Sequence, residues 1–454
     1  MRRGLLLLAV VAVPGCSVTA PVPLIEIAAP ERWLAAELSA SAPVQPAPTT
    51  REWWRHFGDP ALEALISAAD DGNLDLQRAR ARVLEARAAR KAGAAALRPE
   101  VAVNGTAARS NARRLGFDNP VSYFETAFDA AWEIDVFGAT AHRVEAADRL
   151  AQSADAGAAD VRLSLRAEVA RNYIELRAAQ QRLRLAQAML DSRRESAALV
   201  AALQKTGLRS ELDLAQAEAP ALALQAAVPS LQTAIVAAAR RLDTLLGQPP
   251  GAVAAQLASP AVLPVADAAP LLDEPAAVIA RRPDLRRAER ELAASGSLAA
   301  AATADFYPRL TLGSLAGYRD IASGPAGLIW TLAAGLAAPV YNSGRLEAQS
   351  SAAGARLQQR ELAYRQAVLS ALEEVEVALA GYFNARRHVA ALDLQIETER
   401  RRLMLAGERF RRGISSFSDV LEAQRALYAA ETERVDAVST QSRAYIAVNK
   451  AMGG

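Results

Sequence analysis

The sequence predicts a mainly α-helical chain that also carries a transmembrane β part. Two tracts, from about Ala139 to Lys205 and from about Gly344 to Arg411, repeat apolar residues at helical spacing with almost no proline. Each predicts a helix of roughly 67 residues, about 100 Å long at 1.5 Å per residue. Two other segments, 122–138 and 328–344, alternate side-chain character over about 15 residues, longer than most globular strands.

Composition supports long helices and gives no sign of a charged partner. The chain is 52% hydrophobic but only 5% aromatic, so alanine and leucine dominate its apolar residues. Lys and Arg number 52 against 50 Asp and Glu, a formal net charge of +2. This balance argues against nucleic acid as a partner. Long helices bury little alone and must pack laterally, and a solvated coiled-coil rod is the alternative that the helices by themselves leave open.

The amino terminus has the pattern of an exported chain. Arg2 and Arg3 precede an apolar run from Leu5 to Val13, which is too short to span a bilayer. Cys16, the single cysteine, follows in "VPGC", which resembles the lipobox of bacterial lipoproteins. We therefore expect cleavage after residue 15, lipid (palmitate) attachment at Cys16 and, from Ser17, sorting to the outer membrane. A chance cysteine beside an ordinary cleavage site is the alternative.

Two copies of one module fill most of the chain. Residues 73–89 match 282–295 at an offset of 209 positions, and 135–147 match 339–351 at an offset of 204. A proline-rich stretch, 247–270, lies between the copies and reads as an extended connector. The predicted organisation is a signal peptide (1–15), an anchored extended segment (16–60), a first repeat (61–248), a connector (249–275) and a second repeat (276–454), each repeat holding a helix, a strand pair and a long helical hairpin.

Both alternating segments place apolar side chains on one face. In 122–138 the even positions include Phe124 and Trp132 and four of the odd ones are acidic, whereas 328–344 has Trp330 and Leu332 on its apolar face and smaller residues on the other. Their partner strands are predicted at 100–110 and 309–320. The acids, interpreted as a lumen-facing wall that keeps a pore wet, are Glu125, Asp129, Glu133 and Asp135. A cation site at these acids and a soluble sandwich are the alternatives.

Four strands per chain cannot close a barrel around a channel. An open sheet edge in lipid would leave backbone groups unsatisfied at several kcal/mol each. Several chains must therefore share one barrel. Three chains would supply twelve strands, which is the preferred count, although other multiples remain open.

No constellation of residues predicts catalysis. His56, His142 and His388 are scattered and lie near no cysteine or metal-ligand spacing. No glycine-rich phosphate loop and no nucleophile elbow are present in the sequence. The sequence therefore predicts neither an enzyme nor a cofactor or metal, and an enzyme would need a site outside known motifs.

Glycine and serine interrupt each helical hairpin at matching places. Gly207 and Gly413 each provide the left-handed cap that ends a long helix, and Ser210 and Ser416 can cap the helix that follows. These breaks predict two antiparallel hairpins with turns about 100 Å from the sheet. The residues predicted to form the partner-contacting tips are Gly207, Leu208, Ser210, Gly413, Ile414, Ser415 and Ser416. Solvated turns with no partner are the alternative.

Several segments in this order resemble the outer-membrane efflux protein family, the TolC-like outer-membrane factors, and in particular its lipid-anchored branch. They are 53–88, 281–294, 306–314, 339–349 and 408–428. The resemblance implies a homotrimer in outer-membrane lipid, with a shared twelve-stranded β-barrel and a helical tunnel (α-barrel) in the periplasm. It implies passive export of drugs or other small molecules, a periplasmic adaptor at the tips, and an inner-membrane transporter of the RND class.

The resemblance also implies a periplasmic gate. The family's constricting leucine falls on Ser418, its acidic partner on Glu422 and its arginine on Arg425. Glu422 and Arg425 are three positions apart on one helical face, so a charge pair within or between chains is expected. Since serine lacks the bulk of leucine, polar contacts of Asp419 or the ring of Phe417 are expected to assist closure. The alternatives are a type I protein secretion duct and, from a different class, a periplasmic adaptor or other structural coiled-coil protein.

Overall fold

The mainly α chain with a strand pair in each half is confirmed. A computed structural model describes residues 30–35, 52–110, 120–259, 261–270, 272–322 and 324–454. Cys16 and the signal segment lie outside these residues. In chain order the elements are a 3₁₀ turn Trp53–Phe57, α1 Pro60–Gly72, α2 Leu74–Ala95, β1 Glu100–Ser110, β2 Val121–Ile134, α3 Ala139–Lys205, α4 Glu211–Leu245, α5 Ala254–Leu257, α6 Pro275–Arg281, α7 Pro283–Ala304, β3 Arg309–Ile321, β4 Gly327–Ala337, α8 Arg345–Arg411 and α9 Phe417–Ala451.

The four strands form one antiparallel sheet in the order β1-β2-β3-β4. Both predicted strand pairs are present, with Val103 opposite Phe128 and Ala316 opposite Trp330. The β2–β3 pairing, which places Phe128 opposite Ala316, joins the two pairs. β1 and β4 are therefore the two edges of the sheet.

The described residues divide into two compact units. The sheet unit comprises Ala81–Ala156 and Arg286–Gln366. The helical unit comprises Ile27–Arg80, Gly157–Leu285 and Ala367–Gly454. Each predicted repeat contributes to both units, so the units are not the repeats.

Corresponding helices of the two halves have equal lengths. α3 and α8 each have 67 residues, α4 and α9 each have 35, and α2 and α7 each have 22. α3 begins and ends at the predicted residues, and α8 begins one residue after the predicted start. The equal lengths support the predicted duplication, whose boundaries stay a prediction.

The connector is less extended than its prolines predict. Residues 254–257 form the short helix α5. Val253 and Leu257, four residues apart and so on one face of that turn, are 1% and 3% exposed in the core of the helical unit, and Leu263 is buried there too. Burial of these apolar side chains against the hairpins explains why the segment turns instead of remaining extended.

A buried hydroxyl links α3 to the start of α1. The Tyr173 hydroxyl donates to Asp59 Oδ2 at 2.5 Å and accepts from Arg177 Nε at 3.0 Å. Asp59 Oδ1 accepts from the backbone N–H of Ala61 at 2.9 Å and so caps α1. Burial, with the hydrogen bond to Asp59, raises the pKa of Tyr173 to about 12.

This pKa predicts a loss of stability at high pH. The pKa is raised above the unfolded value of about 10, so the contribution of Tyr173 is fully present below pH 10 and is lost as the pH rises to about 12. Between these values the free energy of unfolding, followed by thermal melts of the purified protein, should fall less steeply in Tyr173→Phe than in the wild type, with a difference of at most about 3 kcal/mol. Tyr341→Phe, which removes an 87% exposed tyrosine, is the matched control and should keep the wild-type slope. Equal slopes in all three proteins would contradict the assignment.

Candidate functional site

One face of the sheet is a continuous exposed apolar surface. Because the register is antiparallel throughout, the even positions of β2, β3 and β4 share this face with the odd positions of β1. Its large side chains are strongly exposed, Phe128 at 62%, Trp330 at 80% and Leu332 at 75%. The exposed face of a sheet in a soluble protein is usually polar, whereas a continuous apolar face is typical of strands that face lipid.

The opposite face carries the predicted strand acids. Glu125, Asp129 and Glu133 lie on it together and are partly buried. Glu125 Oε2 accepts from Arg319 Nε at 2.6 Å, and the Arg319 guanidinium lies 5.8 Å from the centroid of the Tyr123 ring. The common direction of these acids is what the alternation predicts. That this face lines a lumen stays a prediction.

Asp135 does not belong to this face. β2 ends at Ile134, and Asp135 Oδ2 instead accepts from the backbone N–H of Ala141 at 2.6 Å. A carboxylate at a helix start satisfies an otherwise unpaired N–H, so Asp135 caps α3. The prediction that Asp135 belongs to a strand is wrong, because the alternation continues in the sequence past Ile134, where β2 ends.

The two hairpin turns have the predicted glycine geometry. Gly207 and Gly413 have φ of 76° and 73°, in the left-handed region that glycine favours. Next to them Leu208 and Ile414 are 71% and 62% exposed. The tips therefore present apolar side chains to solvent in the single chain.

Serine and aspartate begin the helix after each turn. The backbone N–H of Ser210 donates to Asp213 Oδ2 at 3.0 Å, and Ser210 Oγ accepts from the backbone N–H of Asp213 at 3.1 Å. The first of these bonds holds the pKa of Asp213 below its usual value. In the second hairpin the Ser416 N–H donates to Asp419 Oδ2 at 3.1 Å. Both aspartates therefore accept hydrogen bonds from the serine of their own turn.

The predicted gate residues share the exposed face of α9. Ser418, Glu422 and Arg425 are exposed at spacings of four and three, one helical stripe. Ser418 Oγ lies 2.5 Å from Ser416 Oγ. The opposite stripe of α9 is buried and comprises Phe417, Val420, Ala423, Leu427 and Ala430.

Phe417 is therefore unavailable as an apolar plug in this structure. It is 6% exposed, and its ring centroid lies 5.3 Å from that of Phe410. With Val200 and Ala217 it forms a small core that joins the two hairpins near their turns. Asp419 is likewise occupied by its bond to Ser416. That these two residues assist closure stays a prediction.

Glu422 pairs with a residue that sequence reasoning missed. Its Oε1 accepts from Arg402 Nη2 at 3.1 Å, so the ion pair joins α9 to α8. The expected bond to Arg425 within the chain is not formed, and Arg425 makes no ion pair within the part of the chain that the structure describes. Arg402 is one of three consecutive arginines, and nothing in that run indicates which one reaches α9.

Arg193 makes a second link from α9, in this case to α3. It is 3% exposed, and its Nη2 donates to the backbone oxygen of Leu421 at 3.3 Å. Its Nε and Nη1 have no hydrogen-bond partner among the described residues. Burial without a carboxylate lowers the pKa of this guanidinium. A buried cation held by one bond is a weak point of this packing.

The histidines stay apart in the structure. His56 lies 3.2 Å from Asp267, His142 lies 3.5 Å from Glu145, and His388 lies 3.5 Å from Glu433. Across the residues that the structure describes, no group of three or more His, Cys, Asp or Glu side chains could hold a metal ion. The sheet and the hairpin ends, each within its own unit, are therefore the two candidate functional features.

One helix is apolar without being buried. By length and composition α4 is the one described helix that could cross a membrane, although only 11% of its most apolar stretch is buried. Residues 219–239 of α4 contain no charged side chain. Such a helix is expected to pack against a neighbour that the single chain does not supply.

Comparison with known proteins agrees with this arrangement. The model of the outer membrane efflux protein family matches residues 65–248 and 275–454. The pyoverdine export outer membrane protein OpmQ of Pseudomonas putida is 33% identical over 456 residues, covering 97% of this chain and 94% of OpmQ. Nodulation protein T of Rhizobium leguminosarum bv. trifolii is 30% identical over 413 residues, covering 89% and 88%.

Solved structures extend the agreement to the whole fold. The outer-membrane channel OprN superposes with a TM-score of 0.86 at 31% identity, over 96% of this chain and 99% of OprN. The open-state MtrE outer membrane channel of Neisseria gonorrhoeae gives 0.82 at 27% identity, over 95% and 96%. The chain therefore belongs to the outer membrane efflux protein family, whose members are outer-membrane channels and not enzymes.

Proposed function

We propose that three copies of this outer-membrane channel close one twelve-stranded barrel and form the passive exit duct of a tripartite pump. The observation that carries the proposal is the sheet, whose one face is apolar and exposed, whose other face is polar, and whose edges β1 and β4 are unpaired. In lipid, unpaired edges are costly, and β1 of one copy can pair with β4 of the next. Closing the ring removes every edge.

The helices support the same assembly. The exposed, uncharged stretch of α4 gives each copy an apolar surface for a neighbouring hairpin, which favours a helical tunnel built from all three copies. The wide, wet tunnel performs no chemistry and has little need to recognise small-molecule cargo in detail. An inner-membrane transporter of the RND class would supply the energy.

The hairpin turns are the proposed contact for a periplasmic adaptor. Leu208 and Ile414 offer exposed apolar side chains on turns fixed by glycine and by the serine–aspartate pairs. Exposed apolar side chains on turns of fixed geometry can pack against another helical hairpin. Acylation of Cys16, which belongs to the same proposal, would hold the amino terminus at the outer membrane.

Two neighbouring positions of β4 test the orientation of the wall. Leu332 lies on the apolar face and Thr331 on the polar face. Leu332→Arg should strongly reduce the amount of trimer in the outer membrane, because arginine facing the bilayer midplane costs about 2–4 kcal/mol. Thr331→Arg should insert normally and alter the single-channel conductance in planar bilayers. Mass measurement should give three copies of the 48.1 kDa chain, less the signal peptide.

Three results would contradict the proposed duct, the orientation of its wall or the number of copies. A wild-type protein that purifies as a water-soluble monomer without conductance would overturn the duct. Normal insertion of Leu332→Arg together with failure of Thr331→Arg would reverse the two faces. Other ring sizes would appear directly in the measured mass.

A further inference from the structure

An arginine of the first hairpin turn contacts an aromatic ring of the second hairpin. Arg209 lies between Gly207 and Ser210, the residue that caps α4, and its Cζ is 5.1 Å from the centroid of the Phe410 ring. This distance is in the range of a cation–π interaction. Phe410 belongs to the last turn of α8, so the contact connects the ends of the two hairpins within the helical unit.

The Phe410 ring extends this contact to the start of α9. Its centroid lies 5.3 Å from that of Phe417, the first residue of α9, which is 6% exposed. Val200 of α3 and Ala217 of α4 complete the same small core. Because the Phe417 side chain is fixed in this core, the next residue, Ser418, is held on the exposed side of α9. Ser418 is the position at which the resemblance predicts the constriction.

The duplication of the hairpins does not account for this contact. The two turns match at their glycine, serine and aspartate positions, 206 residues apart. At that offset the three contact residues have unlike counterparts: Arg209 corresponds to Ser415, Phe410 to Gln204 and Phe417 to Glu211. The contact is therefore not a consequence of the geometry that the two turns share.

We propose that Arg209 is a positioning residue of the predicted gate. It acts through Phe410 and Phe417 to hold Ser418 in place while the duct is closed, because the contact resists movement of one hairpin end relative to the other. The inference rests on the proposed function, since it requires a duct that closes at the hairpin ends.

The same contact gives a docked partner a way to open the duct. Leu208 is adjacent to Arg209 in the chain, and it is 71% exposed on the surface proposed for the adaptor. A partner helix that packs on Leu208 moves Arg209 away from the Phe410 ring. Such a partner binds more tightly when the contact is broken, and this difference in affinity shifts the equilibrium toward the open duct.

Single-channel recording of the purified trimer tests the role of Arg209. Arg209→Gln and Phe410→Leu should each raise the closed-state conductance, because loss of a partly exposed cation–π contact shifts the open–closed equilibrium about threefold per copy, and up to about thirtyfold when three copies open together. The double variant should add little to either single variant, because both remove the same contact. Arg412→Gln is the matched control, since it removes an exposed arginine from the second turn, and it should conduct as the wild type does.

A role in folding alone would change a different quantity. In that case Arg209→Gln would lower the temperature at which the trimer dissociates and would leave the closed-state conductance of the assembled trimer unchanged, which would overturn the inference. Additive effects of Arg209→Gln and Phe410→Leu would overturn it as well. If Phe410→Leu does not assemble, the comparison of Arg209→Gln with Arg412→Gln decides.

A bulky label at Leu208 tests the effect of a docked partner. Leu208→Cys is reacted with a large maleimide in the acylated protein, whose single native cysteine, Cys16, is the predicted site of lipid attachment. Labelling should raise the closed-state conductance as Arg209→Gln does, and it should have no further effect in the Arg209→Gln background. No change on labelling, or an equal increase in both backgrounds, would show that contact at Leu208 does not act through Arg209.

These results also separate the inference from the function on which it rests. A conducting trimer with the same closed-state conductance in the wild type and in Arg209→Gln defeats the positioning role and leaves the duct intact. A protein that neither assembles nor conducts defeats the duct itself.

Discussion

Gly247→Ala is expected to prevent accumulation of the folded trimer. Gly247 has φ of 68°, where alanine costs about 1–2 kcal/mol. A Cβ at this position would also lie 2.3 Å from the backbone oxygen of Gly72, and a Cβ on Gly72 would lie 2.4 Å from the oxygen of Leu246. Because both obstacles are backbone atoms, no side chain can move aside, and the total cost should reach roughly 4 kcal/mol or more.

A second glycine distinguishes the conformational cost of a positive φ from the cost of the steric clash. Gly58 has φ of 59°, but no atom lies within 4 Å of the Cβ that alanine would add. Gly58→Ala should therefore show only the conformational cost of about 1–2 kcal/mol. The measurements are the yield of trimer in the membrane and the temperature at which it dissociates in detergent. Similar effects of the two substitutions would contradict the close backbone approach at Gly247.

This approach illustrates what the sequence could not predict. Gly247 follows Leu246, the C-cap residue of α4, and could be recognised as a helix-ending glycine. Its neighbour Gly72 is distant in sequence, at the end of α1, and Asn73 Nδ2 reinforces the junction by donating to the Leu245 oxygen at 2.8 Å. Single-sequence patterns report local conformation, whereas a contact between two backbones depends on tertiary packing.

The local patterns predicted most of the fold. The bounds of α3 followed from an uninterrupted apolar repeat ending at a glycine, and the strand pairs followed from alternation. The same alternation misplaced Asp135, because a sequence period continues where hydrogen bonding stops. For the predicted gate, the resemblance named Glu422 but did not indicate its ion-pair partner Arg402, because residues on different helices have no fixed sequence spacing.

Weak polar interactions of two arginines connect α9 to its neighbouring long helices. Arg193 and Arg402 link this helix to α3 and α8, respectively. The first link is a single bond from a poorly satisfied buried cation, and the second is an exposed ion pair. Exposed ion pairs contribute about 0–1 kcal/mol. We propose that these two links help to hold the predicted gate closed, that each contributes a small free energy per copy, and that the contributions of the three copies add.

Glu422→Ala is accordingly expected to raise the closed-state conductance of the trimer. Loss of about 1 kcal/mol per copy changes an open–closed equilibrium about fivefold, and three copies that open together change it by up to about a hundredfold. Arg402→Ala should have the same effect, and the double variant should add little, since both remove one bond. Glu399→Ala is the control, because Glu399 also pairs with Arg402, at 3.5 Å, but lies on the same helix. Arg425→Ala should also raise the closed-state conductance, in this case by removing a contact between copies, because Arg425 has no ion pair within the described chain. If either Glu422→Ala or Arg425→Ala leaves the closed-state conductance unchanged, the gate assignment is wrong.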